Sequence, residues 1–183
     1  MADVQLTIRH EAPEDHTAVH ALTLAAFDGD AGLPELVENL RRAEAPFPTL
    51  SLVATYADNV PVGHAMLSHA WLDGPERLID ALILSPLAVE PDHQRRGIGT
   101  ALIKAALTAA DARGSPFVIL EGSPTYYGAR GFEPAGALGI RRPSLRIPER
   151  AFQVARLSAY NPSMTGTFVY KDVHWQGGVG LYR

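Results

Sequence analysis

Arg95, Arg96, Gly97 and Gly99 fall within five consecutive positions, between an apolar run that ends at Val89 and the helix-forming run that begins Thr100-Ala101-Leu102-Ile103. Such a loop feeding a helix offers unpaired backbone N–H groups, the positive end of a helix dipole and two guanidinium groups at one spot. That is a receptor for a phosphorylated ligand. Two other glycine-loop ligands fail on residues. A dinucleotide fingerprint needs glycine where Leu102 stands, and a P-loop needs Gly-Lys followed by Ser or Thr, which the chain lacks. The glycines alone would favour a tight helix start with no ligand. The preceding apolar strand, the Gln94-Arg95-Arg96 lead-in and the later Tyr126-Tyr127 with Gly131-Phe132 favour the ligand. His16 and His20 stand four apart, a metal-ligand spacing, but no third ligand is near and they read as solvated or capping residues. No metal is expected.

The surrounding elements follow from periodicity. Residues 4–9 alternate as a strand, and Pro13 with Glu14 and Asp15 opens a helix to about Phe27. A second helix over 33–42 carries Leu33, Leu36, Val37 and Leu40 on one face. Strands over 50–56, 60–71 and 78–89 form an antiparallel meander, the third too apolar to have a wet face and so central in its sheet. Pro86, unable to donate to a ladder, marks a bulge or splay in it. A helix over 96–113, ended by Gly114, leads into a buried strand at 117–120, a crossover that makes the two strands parallel. A brief helix ended by a glycine follows, Phe132 begins another strand, and 151–157 and 167–170 read as closing strands.

The 183 residues, 46% hydrophobic, suit one domain, and a formal charge of -4 argues against nucleic-acid binding through overall charge. With no cysteine, thiolate nucleophiles, disulfides and Cys-ligated metals are excluded. No run is long and apolar enough to span a bilayer, so a cytoplasmic protein without membrane contact is expected.

The motifs carry a resemblance. Leu87-Ala88-Val89-x-Pro91 followed by Gln94-x-x-Gly97-x-Gly99 resembles the acyl-CoA-binding motif of the GNAT superfamily of N-acetyltransferases, and Tyr127-x-x-x-Gly131-Phe132 resembles its second motif. Gly122-x-Pro124-x-Tyr126-Tyr127, Ala151-Phe152 and Gly166-Thr167-x-Val169-Tyr170 are similar to the YhbS-like branch. The resemblance implies an α/β (α+β) fold: a mixed, mostly antiparallel sheet flanked by helices and splayed after Leu87 to admit the pantetheine arm. It implies one acetyltransferase domain over 1–183, with a core of about 4–158 and a C-terminal strand extension over 159–183. Acetyl-CoA is the implied cosubstrate and a primary amine of a small molecule or protein the acceptor. A homodimer is compatible with it, and a non-catalytic acyl-CoA sensor or interaction module is the alternative. The implied cofactor contacts are Leu87, Ala88, Val89, Gln94, Arg95, Arg96, Gly97, Ile98, Gly99, Thr100, Tyr127 and Arg130.

The resemblance also makes Tyr127 the proton donor to the departing thiolate, and a phenol pKa near 10 against about 8.5 for a thiol makes that reasonable. A strand-borne glutamate seen in some members is replaced here by Leu82, Ile83 and Leu84. Glu121, His69, Asp80 or water remain as bases, and the loops at 28–32, 73–76 and 141–150 are expected to shape the acceptor pocket.

Overall fold

The computed structural model describes residues 5–43 and 48–176. Val4 of the expected first strand and the end of the C-terminal extension lie outside them. Along the chain run β1 (Thr7–His10), α1 (His16–Ala26), α2 (Gly32–Arg42), β2 (Leu50–Thr55), β3 (Pro61–Asp73), β4 (Leu78–Val89) and α3 (Ile98–Ala112). Then come β5 (Phe117–Glu121), α4 (Pro124–Gly128), β6 (Glu133–Pro134), β7 (Ile140–Arg141), β8 (Phe152–Arg156), β9 (Gly166–Val169) and α5 (Asp172–Gln176). The strands form one sheet in the order β1-β2-β3-β4-β5-β8-β6, with β9 beside β3 and β7 beside β9. All pairings are antiparallel except β4 with β5 and β7 with β9. The parallel pair exists because α3 carries the chain back between them, the crossover that parallel strands require.

Side-chain alternation sends the two halves of each strand's apolar set to opposite layers. Leu52, Ala54, Leu67, Leu82, Leu84, Val118 and Leu120 pack under α3 with its Ile98, Leu102, Ile103 and Ala106. On the other face Val53, Met66 and Ala88 meet Val19 and Leu22 of α1 and Leu36, Val37 and Leu40 of α2. Further along that face Ala70, Leu72, Ile83, Ile119, Val154, Phe168 and Tyr170 form a third cluster. β4 is thus buried on both sides, as its unbroken apolar run requires. Burial of each such Leu or Ile stabilises the fold by about 1.5–3 kcal/mol.

One irregularity shapes the middle of the sheet. Ala65 pairs with Leu87 and Leu67 with Leu84, so Met66 of β3 faces two residues of β4, Ser85 and Pro86. Pro86 has no N–H to give a ladder, which is why the extra residue falls there. An extra residue reverses the alternation beyond it. Leu87 and Val89 therefore pack toward α3, while Ala88 turns to the α1 and α2 face.

The split in the sheet begins earlier than expected. Only Leu82 with Val118 and Ile83 with Ile119 pair between β4 and β5, so the strands part after Ile83 and not after Leu87. The bulge bends β4 away, while β8 holds β5 in line as far as Glu121 opposite Phe152. The C-terminal extension holds the expected closing strand and adds a helix. It supplies β9, which pairs with Trp71–Asp73 of β3 beyond the end of β2, and then the helix α5.

Candidate active site

Beyond Ile83 and Ile119 a gap opens, bordered by residues 84–89 on one side and by Leu120 and Glu121 on the other. The start of α3 closes one end of it. Gly63 makes that approach possible: a Cβ there would come within 2.9 Å of Ile98 Cγ2 and of Leu102 Cδ1. Between Val89 and α3 the chain makes a tight turn at Pro91–His93 and then passes through two left-handed residues, Arg95 (φ 59°) and Gly97 (φ 82°). The conformation suits glycine, since a β-carbon is disfavoured there. The Ala101 N–H donates to Gly97 O at 3.0 Å, so the N–H groups of Ile98, Gly99 and Thr100 precede the first intrahelical bond. Gln94 fastens the loop to the sheet, its Nε2 donating to Val89 O at 3.1 Å. Arg95 and Arg96 are exposed beside it.

α4 borders the same end. Ser123 caps it, accepting from Tyr126 N–H at 3.3 Å, with Pro124 in the first turn. The Tyr127 ring fills the space where a side chain on Gly122 would be, lies edge-on to Tyr126 at 4.9 Å, and packs on the α3-face cluster beside Phe132. Tyr126 reaches back until its hydroxyl touches Gly99. Arg130 locks the two pieces together. Its Cζ lies 3.7 Å from the Tyr126 ring centre, a cation–π contact, and its Nε donates to Thr100 Oγ1 at 2.9 Å. The residues named for the cofactor therefore converge on the gap and the first turn of α3. Ala88 contributes only backbone there, because its side chain faces away.

On the opposite face the gap carries a carboxylate. Glu121 ends β5 on the Ile119 side of the strand, and the Tyr170 hydroxyl donates to its Oε1. Tyr170 follows β9, is buried, and stacks among Phe168, His174 and Trp175 at centre distances of 5.5, 5.6 and 5.3 Å. The same face buries further polar groups. Ser68 Oγ and His174 Nε2 lie 2.8 Å apart, as do Ser51 Oγ and His64 Nε2, and Arg41 pairs with Glu11. Burial pushes His64 and His174 each down to about 4, so both are neutral. Burial raises Glu11, but hydrogen bonds from Arg41 and Ser51 outweigh it and hold the carboxyl below its usual range. His64 is the register partner of Ala88.

Other expected site residues lie elsewhere. His69 Nε2 and Asp80 Oδ1 are 2.8 Å apart, but they line a cavity of about 200 Å³ with Arg113, Gly114 and Ser115, at the far end of α3. A helix of 15 residues puts that end about 22 Å from the first turn. The pair therefore lies beyond the closed end of the gap, beside Leu82 of β4, and not along its open edge. Gly74, Pro75 and Glu76 are likewise remote, in a groove with Arg77, Asn161 and Met164 at the start of β4, which then runs toward the gap. His20 is paired with Glu38 at 3.1 Å. Tyr126 and Tyr170 were given no catalytic or cofactor role by the motifs. The signal for the first was its place beside Tyr127, and for the second its place in the closing Gly166-Thr167-x-Val169-Tyr170 string.

The sequence profile of the acetyltransferase (GNAT) family matches residues 13–132. The chain is 35% identical over 136 residues to the uncharacterized N-acetyltransferase YjhQ of Escherichia coli strain K12, spanning 72% of this chain and 74% of that one. Its fold is similar to the crystal structure of the E. coli GNAT family N-acetyltransferase YhbS in complex with CoA, with a TM-score of 0.84, 28% identity and coverage of 94% of this chain and 93% of that one. A GNAT family acetyltransferase from Brucella melitensis in complex with acetyl-CoA superposes with a TM-score of 0.72 at 28% identity, over 92% of this chain and 97% of that one. A gap in the sheet at the β4–β5 split, a glycine-rich helix start beside it and these matches have one conclusion: the chain belongs to the GNAT family of acetyltransferases.

Proposed function

We propose that the protein transfers the acetyl group of acetyl-CoA to a primary amine of a small molecule or a protein. The observation that carries this is the gap between β4 and β5, where the unpaired strand edge of residues 84–89 leads to the first turn of α3. A pantetheine arm fits it as an extra strand. The N–H groups of Ile98, Gly99 and Thr100, with exposed Arg95 and Arg96, suit the pyrophosphate. Two complexes of similar proteins, one with CoA and one with acetyl-CoA, support the ligand.

The residues then divide the chemistry. Backbone groups of Leu87 and Val89 hold the pantetheine amides and polarise the thioester carbonyl. Glu121, on the face away from α3, takes a proton from the incoming amine as its nitrogen bonds to the acetyl carbon. The carbon–sulfur bond breaks and Tyr127, on the α3 face, gives a proton to the sulfur. Glu121 is preferred to His69 and Asp80 because it alone of the three borders the gap.

The test is a thiol-release assay with acetyl-CoA and a panel of amines, alongside calorimetry with CoA. Release that depends on an amine is the expected result. Tight CoA binding without release on any amine would instead make the protein an acyl-CoA-binding module.

A further inference from the structure

Beyond the family motif, which ends at Phe132, a later part of the chain reaches the reacting groups. β9 pairs with β3, two strands away from β5, yet the next residue, Tyr170, donates its hydroxyl proton to Glu121 Oε1 across the face of β4. The contact spans 49 residues of sequence. Its geometry is fixed on several sides. The Tyr170 ring is wedged between Phe168 and Trp175, and α5 is pinned to β3 through His174 Nε2 and Ser68 Oγ, a buried pair 106 residues apart in sequence. A phenol held this rigidly leaves the carboxylate little choice of rotamer.

We infer that Tyr170 is a positioning residue: the segment from β9 through α5 completes the active site by fixing where the Glu121 carboxylate points and how readily it holds a proton. The inference rests on the acetyl-transfer reading above. A hydrogen bond donated to the ionised form of a carboxyl lowers its pKa. Tyr170 thus keeps Glu121 ionised at lower pH than a carboxyl without the donor, widening the pH range over which it can accept the amine proton. The titratable groups on the segments that reach Glu121 or its register partner Phe152 are Tyr170 and Lys171 after β9, His174 of α5, and Glu149 and Arg150 of the turn before β8, while Tyr127 lies against the adjacent Gly122 on the α3 face. His174 stays neutral, because burial depresses it to about 4. Burial also lowers Lys171.

The experiment is a pH–rate profile of Tyr170→Phe, which removes one hydroxyl and keeps the ring stacking. The acidic limb of kcat/KM moves up by about one pH unit, kcat falls about tenfold below it, and KM for acetyl-CoA stays within twofold. In the Glu121→Gln background the same change costs less than twofold, because the group it acts through is gone. Should Tyr170→Phe lower the melting temperature, this comparison still decides, since both backgrounds carry the same loss. An equal loss in both backgrounds, or an unmoved acidic limb, overturns the inference. Carbon-13 titration of the Glu121 carboxyl in the CoA-bound protein needs no turnover: a pKa raised in Tyr170→Phe is expected, and an unchanged one overturns the inference. Failure of the wild-type protein to consume acetyl-CoA with any amine overturns the acetyl-transfer reading instead.

Discussion

The two faces of the sheet solve different problems with different materials. On the α3 face the site is made from backbone: an unpaired strand edge, a helix start and glycines at 63, 97, 99 and 122 that clear space for neighbours or turn the chain. Its side chains are apolar where they meet the sheet, and Tyr126, Tyr127 and Arg130 all come from one short stretch after β5. On the other face the buried polar groups are side chains. Glu11, Arg41, Ser51, His64, Ser68, Tyr170 and His174 come from six elements or loops and meet only in the fold. A cosubstrate with a fixed shape can be held by backbone alone. Directing an amine and its proton takes specific charges and donors, which backbone does not supply.

The sharpest way to break this division is to change one proton-handling group on each face. Glu121→Gln lowers kcat by about 100-fold or more, the usual worth of a general base, while CoA affinity by calorimetry stays within about twofold. Tyr127→Phe lowers kcat by roughly 10- to 100-fold, again with less effect on CoA affinity. If either change weakened CoA binding as much as it slowed turnover, the faces would not be separate. A smaller effect sharpens the donor side: Arg95→Gln and Arg96→Gln, both at exposed positions, weaken CoA by about threefold to fivefold, more than they slow turnover. Raising the salt shrinks the difference, since exposed charges are screened.

Acidity gives the mildest test. His64 and His174 both lie on the α1, α2 and α5 face and are held down to about 4 from an ordinary 6.5. Between those values the unfolded chain binds protons that the folded one refuses, so stability rises with pH there. The contribution is fully present above 6.5 and is lost as pH falls toward 4. A displacement of that size corresponds to roughly 3 kcal/mol for each histidine. Melting temperature should therefore drop between pH 7 and pH 5, and His64→Gln should flatten that slope. An unchanged slope would place the acid sensitivity elsewhere.

The same contrast explains what could be read from the sequence. The elements around the proposed donor site were legible because they are local: strand, loop, helix start and tyrosine stretch all lie between Leu78 and Phe132, and each leaves a residue signature. Periodicity also gave the meander, the crossover and the buried face of α2. The point where the strands part was misjudged by four residues, because separation depends on β8 and on the bulge opposite Met66, which are tertiary facts. His69 and Asp80 fall outside the gap for a similar reason. Asp80 on β4 and His69, opposite Leu82, lie before the strands part, near the far end of α3. Tyr170 carried no chemical signal of its own, since what gives it a role is a partner 49 residues away.

The parting of β4 and β5 has a further meaning. An exposed strand edge invites another polypeptide to pair with it, which is why proteins shield their outer strands. Here the edge is interior, with α3 and Tyr127 packed over one face and the segment from Tyr170 to His174 over the other. A chain with side chains on both faces would collide with those layers. A slender chain whose amide groups can pair with the strand edges, as in the pantetheine arm proposed above, suits such a slot. The slot selects by cross-section before any side chain has recognised a functional group.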